Sequence, residues 1–332
     1  MLKDWDILDF ANYICKKETF GNTSLQSEST FDVAFGVDKN FVPPMGIMIT
    51  SILINNPQIH LNVHIFLDSI LKEDHEKLKI LTTENNNLQL HLYYLDVELF
   101  KNFQVSKGYP IAIYYRIIAA KILYPKISKL LYVDADTLCV GNILAFTKLS
   151  FDDNILMAVH DRGEWLAQHK REIGIPEQQT YFNSGVLYID LDKWDQYDVS
   201  VHMLEMLRNK MLSFPDQDAL NLIVGKKIKP IPVKFNQFLL MKHENDQLPN
   251  DTVIIHFAGQ IKPWQPWCDN PQRIIYDEYR NKSLWKEFEY YPRDYQENRL
   301  MGKVARKQGH FLTAMKWYYL YVRDKFLQKI KR

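Results

Sequence analysis

Asp134 and Asp136 stand one residue apart in "LLYVDADTLCVGNI" (130–143), directly after an apolar run. Two carboxylates this close repel unless a proton or a cation bridges them. Hard oxygen ligands suit Mg²⁺ or Mn²⁺, ions that also take phosphate oxygens. A surface loop with two solvated acids is the plain alternative for so short a pattern. His256 ends the apolar run of "VIIHFAGQIKPW" (253–264). It would add a nitrogen ligand if it faced the same cation; taken alone, it reads as a core or capping histidine, and its place at the end of a last strand, followed by Gly and Lys, favours the ligand. Lys262, just past Gly259, lies close enough in sequence to meet a phosphate as a point charge.

Three other stretches carry polar groups where apolar ones are expected. "YFNSGVLYIDL" (181–191) holds Asn183, Ser184 and Gly185 inside an apolar strand. That is either a bulge or a set of amide and backbone groups for a polyhydroxylated ligand, with the glycine admitting a close approach. "FPDQDALN" (214–221) puts Asp216, Gln217 and Asp218 at a helix start, where Asp216 suits an N-cap. Arg116 in "YYRIIAAKIL" is a helix charge that faces either solvent or a site.

The elements that must position these residues alternate. "FDVAFGVD" (31–38), "LNVHIFLD" (61–68), "LQLHLYYL" (88–95) and "KLLYVDAD" (129–136) read as strands. Between them lie helices over 45–56, after Pro43 and Pro44, over 71–85 and over 111–123. This alternation implies an α/β chain with a mainly parallel sheet, whose ligands bind beyond the carboxyl ends of the strands. Asp38, Asp68 and the Asp134/Asp136 pair all fall there. Farther on, 154–161, 181–191 and 251–259 read as strands, and 199–212 and 216–225 as helices. No internal repeat or low-complexity segment stands out.

The 332 residues suffice for one large domain and an appendage. Residues 1–30 read as an N-terminal extension, 31–265 as the main domain and 266–332 as a helical C-terminal region. The net charge of +1 is unevenly spread: Arg299 to Arg332 hold ten Lys/Arg against Asp324 alone, leaving an acidic body with a basic tail. Phe311, Met315, Tyr319, Val322 and Phe326 fall on one face of a helix there, although Leu320 and Leu327 interrupt the polar face. Basic and aromatic residues together suit an anionic membrane surface; packing of the aromatics against the body is the alternative. Cys15, Cys139 and Cys268 are scattered, without zinc-ligand spacing, and suit a reducing cytoplasm. The first twenty residues have no h-region of a signal peptide, and no apolar run approaches the ~20 residues of a membrane span.

Taken together, six motifs from Phe31 to Trp264 resemble glycosyltransferase family 8 in its own order. They are "FGVDKNF", "YYR", "LYVDADTLCVGNI", "YFNSGVLYIDLDKW", "PDQDALN" and "HFAGQIKPW". Within that family the chain is most similar to bacterial lipopolysaccharide core glucosyl- and galactosyltransferases. The resemblance implies a single Rossmann-like nucleotide-binding domain of GT-A type and retaining transfer from UDP-glucose or UDP-galactose to a lipopolysaccharide core. It implies Asp134, Asp136 and His256 as ligands of Mn²⁺ or Mg²⁺, and Gly259 and Lys262 as diphosphate contacts. Asp38 and Asn40 match residues near the uridine and ribose. Arg116, Asn183, Asp216 and Gln217 match donor-sugar contacts, with Gln217 nearest the anomeric carbon, and Asp161 matches an acceptor-side acid more loosely. The implied location is the cytoplasmic face of the inner membrane, held through the basic tail, with no nucleic-acid partner.

The chemistry has its own logic. Cleaving a sugar–phosphate bond leaves charge on UDP, which a divalent ion and Lys262 would stabilise. Glycosidases that retain configuration use a carboxylate nucleophile. The matching residue here is Gln217, a neutral amide, so the expected course is same-face attack by the acceptor hydroxyl. The leaving phosphate would take that hydroxyl's proton. A dehalogenase-type phosphatase also uses two aspartates after a strand, but it wants Thr or Val two residues after the second, where Leu138 stands. A non-catalytic sugar-nucleotide-binding protein would not need the combination of Asp134, Asp136, His256, Lys262 and Gln217.

Overall fold

The computed structural model describes residues 9–21, 30–101, 103, 110–242 and 246–330. The chain divides into two compact units, Met1–Phe238 with Leu248–His256, and Leu239–Gln247 with Phe257–Arg332.

The described strands are β1 (Ile14–Gly21), β2 (Thr30–Val37), β3 (His60–Leu67), β4 (Leu88–Leu95), β5 (Lys129–Val133), β6 (Thr137–Cys139), β7 (Leu156–Ala158), β8 (Val186–Asp190), β9 (Ile228–Pro230), β10 (Gln237–Phe238) and β11 (Ile254–His256). Eight form one sheet in the order β1-β4-β3-β2-β5-β8-β7-β9, and β10-β11-β6 form a second. The large sheet is mixed and mainly parallel: β4, β3, β2 and β5 run together, whereas β8 is antiparallel to both β5 and β7. β2 and β3 are buried on both faces toward their carboxyl ends, while nearer their starts Asn62 and His64 bond Asp32 at 3.2 and 2.9 Å. The order turns at β2, which has β3 on one side and β5 on the other. A ligand crevice is expected outside the carboxyl ends at such a switch point.

Seven helices of the first unit are α1 (Val42–Asn55), α2 (Lys72–Glu84), α3 (Tyr115–Leu123), α4 (Leu166–Ile173), α5 (Leu191–Gln196), α6 (Val199–Asn209) and α7 (Pro215–Val224). Pro43 and Pro44 sit in the first turn of α1, where no N–H is needed. α1 is buried nearly all round, and its Ser51 Oγ accepts from Cys139 N at 2.9 Å, which ties β6 to the helix. The expected helix over 111–123 begins with a 3-10 turn, Ile111–Tyr114, before α3.

Two sequence expectations change. Ile14–Gly21, in the stretch read as an extension, is the edge strand β1, antiparallel to β4. Its short alternating pattern and Lys16 and Lys17 are what an edge strand needs and were masked by the polar residues around it. Asp216 is not an N-cap: Phe214 holds that place, Pro215 opens α7, and Asp218 Oδ2 accepts from Phe214 N at 3.0 Å. Asp216 is thereby released for other work.

The second unit carries α8 (Ile274–Lys282), α9 (Tyr295–Lys307) and α10 (Phe311–Ile330). Tyr276 and Trp285 are fully buried there, with Phe257 edge-on to the Tyr276 ring at 5.7 Å. Asp294 caps α9 by accepting from Glu297 N at 2.8 Å. Gly309, at φ +80°, turns the chain into α10, and Gly302 lets the Tyr318 ring close on α9. No helix among the described residues is long and apolar enough to cross a membrane.

Candidate active site

β5 leaves the large sheet and the chain enters the small one within three residues. Asp134 N still donates to Gly185 O of the β8 side at 2.8 Å, extending the β5–β8 ladder by one bond. Thr137 Oγ1 then donates to Asp134 O at 2.7 Å and closes the turn. Thr137 opens β6, which pairs antiparallel with β11 so that His256 lies opposite Thr137. One turn and one register therefore bring both carboxylates and the imidazole together. Ligand atoms of Asp134, Asp136 and His256 all lie within 4.8 Å of one another. His256 Nε2 is 3.4 Å from Asp136 Oδ1.

Gly185 makes this approach possible. A Cβ there would stand 2.3 Å from His256 Cε1 and 2.8 Å from Nδ1. The glycine in "NSG" admits the histidine ring, rather than a ligand directly.

Arg116, from α3, is the buried counter-charge. Its Nη2 meets Asp134 Oδ1 at 2.8 Å, and its Nη1 meets Asp216 Oδ2 at 3.0 Å and donates to Ser184 O at 2.6 Å. The guanidinium stacks over Tyr132 at 4.8 Å, and the Tyr132 hydroxyl accepts from Gly36 N at 3.1 Å. Burial pushes the Asp134 carboxyl upward; Arg116 opposes this, and neighbouring Asp136 adds to the rise. Asp134 keeps 28% of its side-chain surface open, against 7% for both Arg116 and Asp216. The first can still reach a ligand while the other two are held by protein.

Two carboxylate oxygens and one imidazole nitrogen, with a carboxylate held partly against its own charge, fit a divalent ion of the Mg²⁺ or Mn²⁺ class. Such an ion would be held by Asp134, Asp136 and His256.

α7 supplies the next layer. Gln217 Oε1 accepts from Ser184 N at 3.0 Å and Asn183 Nδ2 at 3.1 Å, and Gln217 Nε2 donates to Asp161 Oδ2 at 2.8 Å. Ser184 Oγ donates to Asp216 Oδ2 at 3.0 Å. Asn183, Asp216, Gln217 and Asp161 thus form one connected group with Arg116.

Asp38 and Asn40 lie elsewhere, in the turn after β2, where Asn40 N donates to Asp38 Oδ1 at 2.7 Å. Burial raises the Tyr115 hydroxyl, and the charges of Asp68 and Asp38 add to the rise. Gly259 and Lys262 belong to the second unit. Gly259 has φ +91°, and Lys262 Nζ donates to Phe257 O at 2.8 Å.

Sequence reasoning missed Asn221 and Asn236. Asn221 acts like a strand partner: its Oδ1 accepts from Phe182 N and its Nδ2 donates to Phe182 O, both at 2.8 Å. Its spacing of four from Gln217 on α7 was a usable signal. Asn236 lies between Phe235 and Gln237, 1% exposed, and contacts both His256 and Asn183. Only an isolated amide beside an aromatic hinted at it.

The comparisons agree with one another. The family model described as Glycosyl transferase family 8 matches residues 32–268. The chain is 30% identical over 311 residues to lipopolysaccharide 1,3-galactosyltransferase of Salmonella typhimurium strain LT2, covering 90% of this chain and 92% of that protein. It is 31% identical over 314 residues to lipopolysaccharide glucosyltransferase WaaO of Escherichia coli K12, covering 90% and 91%. Among solved structures, galactosyltransferase LgtC in complex with donor and acceptor sugar analogs aligns at TM-score 0.65 and 21% identity, over 80% of this chain and 99% of that one. The α/β architecture is the GT-A fold that these enzymes share.

Proposed function

The chain belongs to glycosyl transferase family 8, and on that premise we propose that it moves glucose or galactose from a UDP-sugar to a lipopolysaccharide core oligosaccharide with retention of configuration. The observation that carries this reading is the convergence of Asp134, Asp136 and His256 on one point at the switch of the sheet. The relatives named for lipopolysaccharide glucosyl and galactosyl transfer support the substrate class.

A bound Mn²⁺ or Mg²⁺ would neutralise the charge that develops on the leaving diphosphate. The residues do the rest. Arg116 holds Asp134 and Asp216 in fixed directions, so neither carboxylate has to reorganise as charge moves. Asp216, buried beside Ser184, is placed to favour an oxocarbenium-like sugar electrostatically. Gln217 Oε1 already accepts two hydrogen bonds from Ser184 N and Asn183 Nδ2, which occupies its lone pairs and weakens it further as a nucleophile. This supports same-face attack by the acceptor hydroxyl, with its proton passing to the leaving phosphate. Asp161 fixes Gln217 from the acceptor side. Asp38 and Asn40 are proposed for the nucleoside, and Gly259 and Lys262 for the diphosphate, on their motifs.

The same reading places the basic tail on anionic lipid at the inner membrane. Its support is that Phe311, Met315, Tyr319, Val322 and Phe326 are all more than 60% exposed.

The test is UDP release from UDP-glucose and UDP-galactose, with and without Mn²⁺, followed by mass analysis of truncated core acceptors. Metal-stimulated release and a hexose gain on one acceptor are expected. Full turnover in chelator would sink the metal role, and a glycosyl adduct on any side chain would sink same-face attack.

A further inference from the structure

Five side chains, from His256 through Asn236, Asn183 and Gln217 to Asp161, form a chain of hydrogen bonds whose direction is fixed from outside. Asp161 Oδ2, a carboxylate oxygen, faces Gln217 Nε2 at 2.8 Å, so the amide nitrogen must point there. Gln217 Oε1 consequently faces Ser184 N, a backbone donor that needs an oxygen, and Asn183 Nδ2. Asn183 Oδ1 meets a second backbone donor, Gly185 N, at 3.0 Å, and faces Asn236 Nδ2 at 2.9 Å. Asn236 Oδ1 is left toward His256 Nδ1, 3.0 Å away. An amide oxygen only accepts, so the ring must carry its proton on Nδ1. Nε2 then offers its lone pair toward Asp136 and the ion site.

We propose that Asn236 is a positioning residue that fixes the His256 ring in the tautomer able to ligate a metal and ties that ring to the sugar-side pair Asn183 and Gln217. The inference rests on the metal site of the reading above and adds a residue outside its motifs. Asn236 sits immediately before β10, whose Phe238 pairs with His256 in parallel register. The strand pairing thus sets the height of the amide beside the ring. With 1% exposure, Asn236 has no water to replace either partner. Partners of this kind on a ligating histidine usually account for 10–100-fold in metal affinity.

Two substitutions separate positioning from bulk. Asn236→Leu fills the same space with no hydrogen bond. Asn236→Asp keeps the acceptor for His256 Nδ1 but sets a carboxylate against Asn183 Oδ1. Mn²⁺ affinity, read by electron paramagnetic resonance without UDP-sugar, should fall about 10–100-fold in Asn236→Leu and stay within a few-fold of wild type in Asn236→Asp. The Asp variant should instead lose turnover at saturating donor. Long-range ¹H–¹⁵N spectra of metal-free, histidine-labelled protein in mildly alkaline buffer should show the His256 proton on Nδ1 in wild type. Circular dichroism confirms that each variant is folded.

Equal Mn²⁺ affinity in wild type and Asn236→Leu overturns the inference while leaving the metal site standing, as does an equal loss in both variants. Wild type that binds no Mn²⁺ overturns the metal reading itself. In that case the tautomer decides alone: a proton on Nδ1 upholds the role of Asn236, and one on Nε2 ends it.

Discussion

Arg116 is the residue on which the charges of the site balance. It faces Asp134 and Asp216 from a position 6% exposed, and one guanidinium satisfies both because its donors are spread over a rigid fork. Arg116→Met should lower the melting temperature by roughly 10 °C, since removing one side of a buried ion pair costs about 3–5 kcal/mol. Mn²⁺ should restore part of the loss by taking over Asp134, which a melt with and without the ion reads directly. Arg116→Lys should melt closer to wild type yet turn over about 10²-fold more slowly, because a point charge cannot hold two carboxylates and Ser184 O together. At Gly185 the limit is steric. Gly185→Ala would drive a methyl group into His256, whose ring is held by Asn236, so Mn²⁺ affinity should fall about 10-fold or more by the same resonance titration. At this scale the sequence was most legible where a residue joins the cluster that could hold a metal ion. Asp134, Asp136 and His256 could be read from strand ends, while Asn236 could not. Its task depends on β10 and β11 becoming neighbours, which no local spacing records.

Elements were legible in proportion to their regularity. β2, β3 and β4 came out within a residue or so because short runs rich in apolar residues and bounded by polar turns leave few alternatives. The stretch 181–185 was read into a strand because of its apolar flanks, yet β8 starts only at Val186. Its polar middle, Asn183 and Ser184, is turned to Gln217 instead, and the Phe182 backbone bonds Asn221. β1 was lost for the opposite reason, a half-exposed edge strand with little apolar signal. Glu18 shows what holds it. Its carboxylate is bonded by Lys16 at 2.8 Å, His75 of α2 at 2.8 Å and Tyr94 of β4 at 2.8 Å. Burial alone would raise the Glu18 pKa, but these bonds win and hold it at about 2, below the 4.5 of a free side chain. A folded-state value below the unfolded one means stability present above pH 4.5 and lost as pH falls toward 2. Glu18→Gln should therefore cost about 1 kcal/mol at neutral pH, after allowance for the 22% of the side chain that remains exposed. That cost should shrink as pH drops from 4.5 toward 2. Urea midpoints of both proteins across that range give the measurement; a gap that widens on acidification would contradict the clamp.

For the whole molecule, charge is divided as the chemistry is. The acidic body carries the carboxylate site, and the tail from Arg299 to Arg332 is strongly basic. The periodicity of α10 is informative once the exposures are known. Among its described side chains Ala314 and Trp317 are buried, and Asp324 is tied to Asn298 of α9 at 3.0 Å. Phe311, Leu312, Met315, Tyr319, Val322 and Phe326 are left facing outward. An apolar row left open on a helix of a basic segment matches a lipid interface better than a core. The row and the charges make separable contributions. Phe311→Ser with Phe326→Ser should cut co-sedimentation with anionic liposomes several-fold while leaving UDP release unchanged, since neither residue belongs to the site. Raising salt should weaken the wild-type interaction, because surface attraction at about 1 kcal/mol per basic residue falls off within a Debye length. Binding to neutral liposomes should be weak in both proteins. If the double variant sediments as wild type does, the exposed row serves some other contact, and the basic residues alone would have to account for any attachment to the membrane.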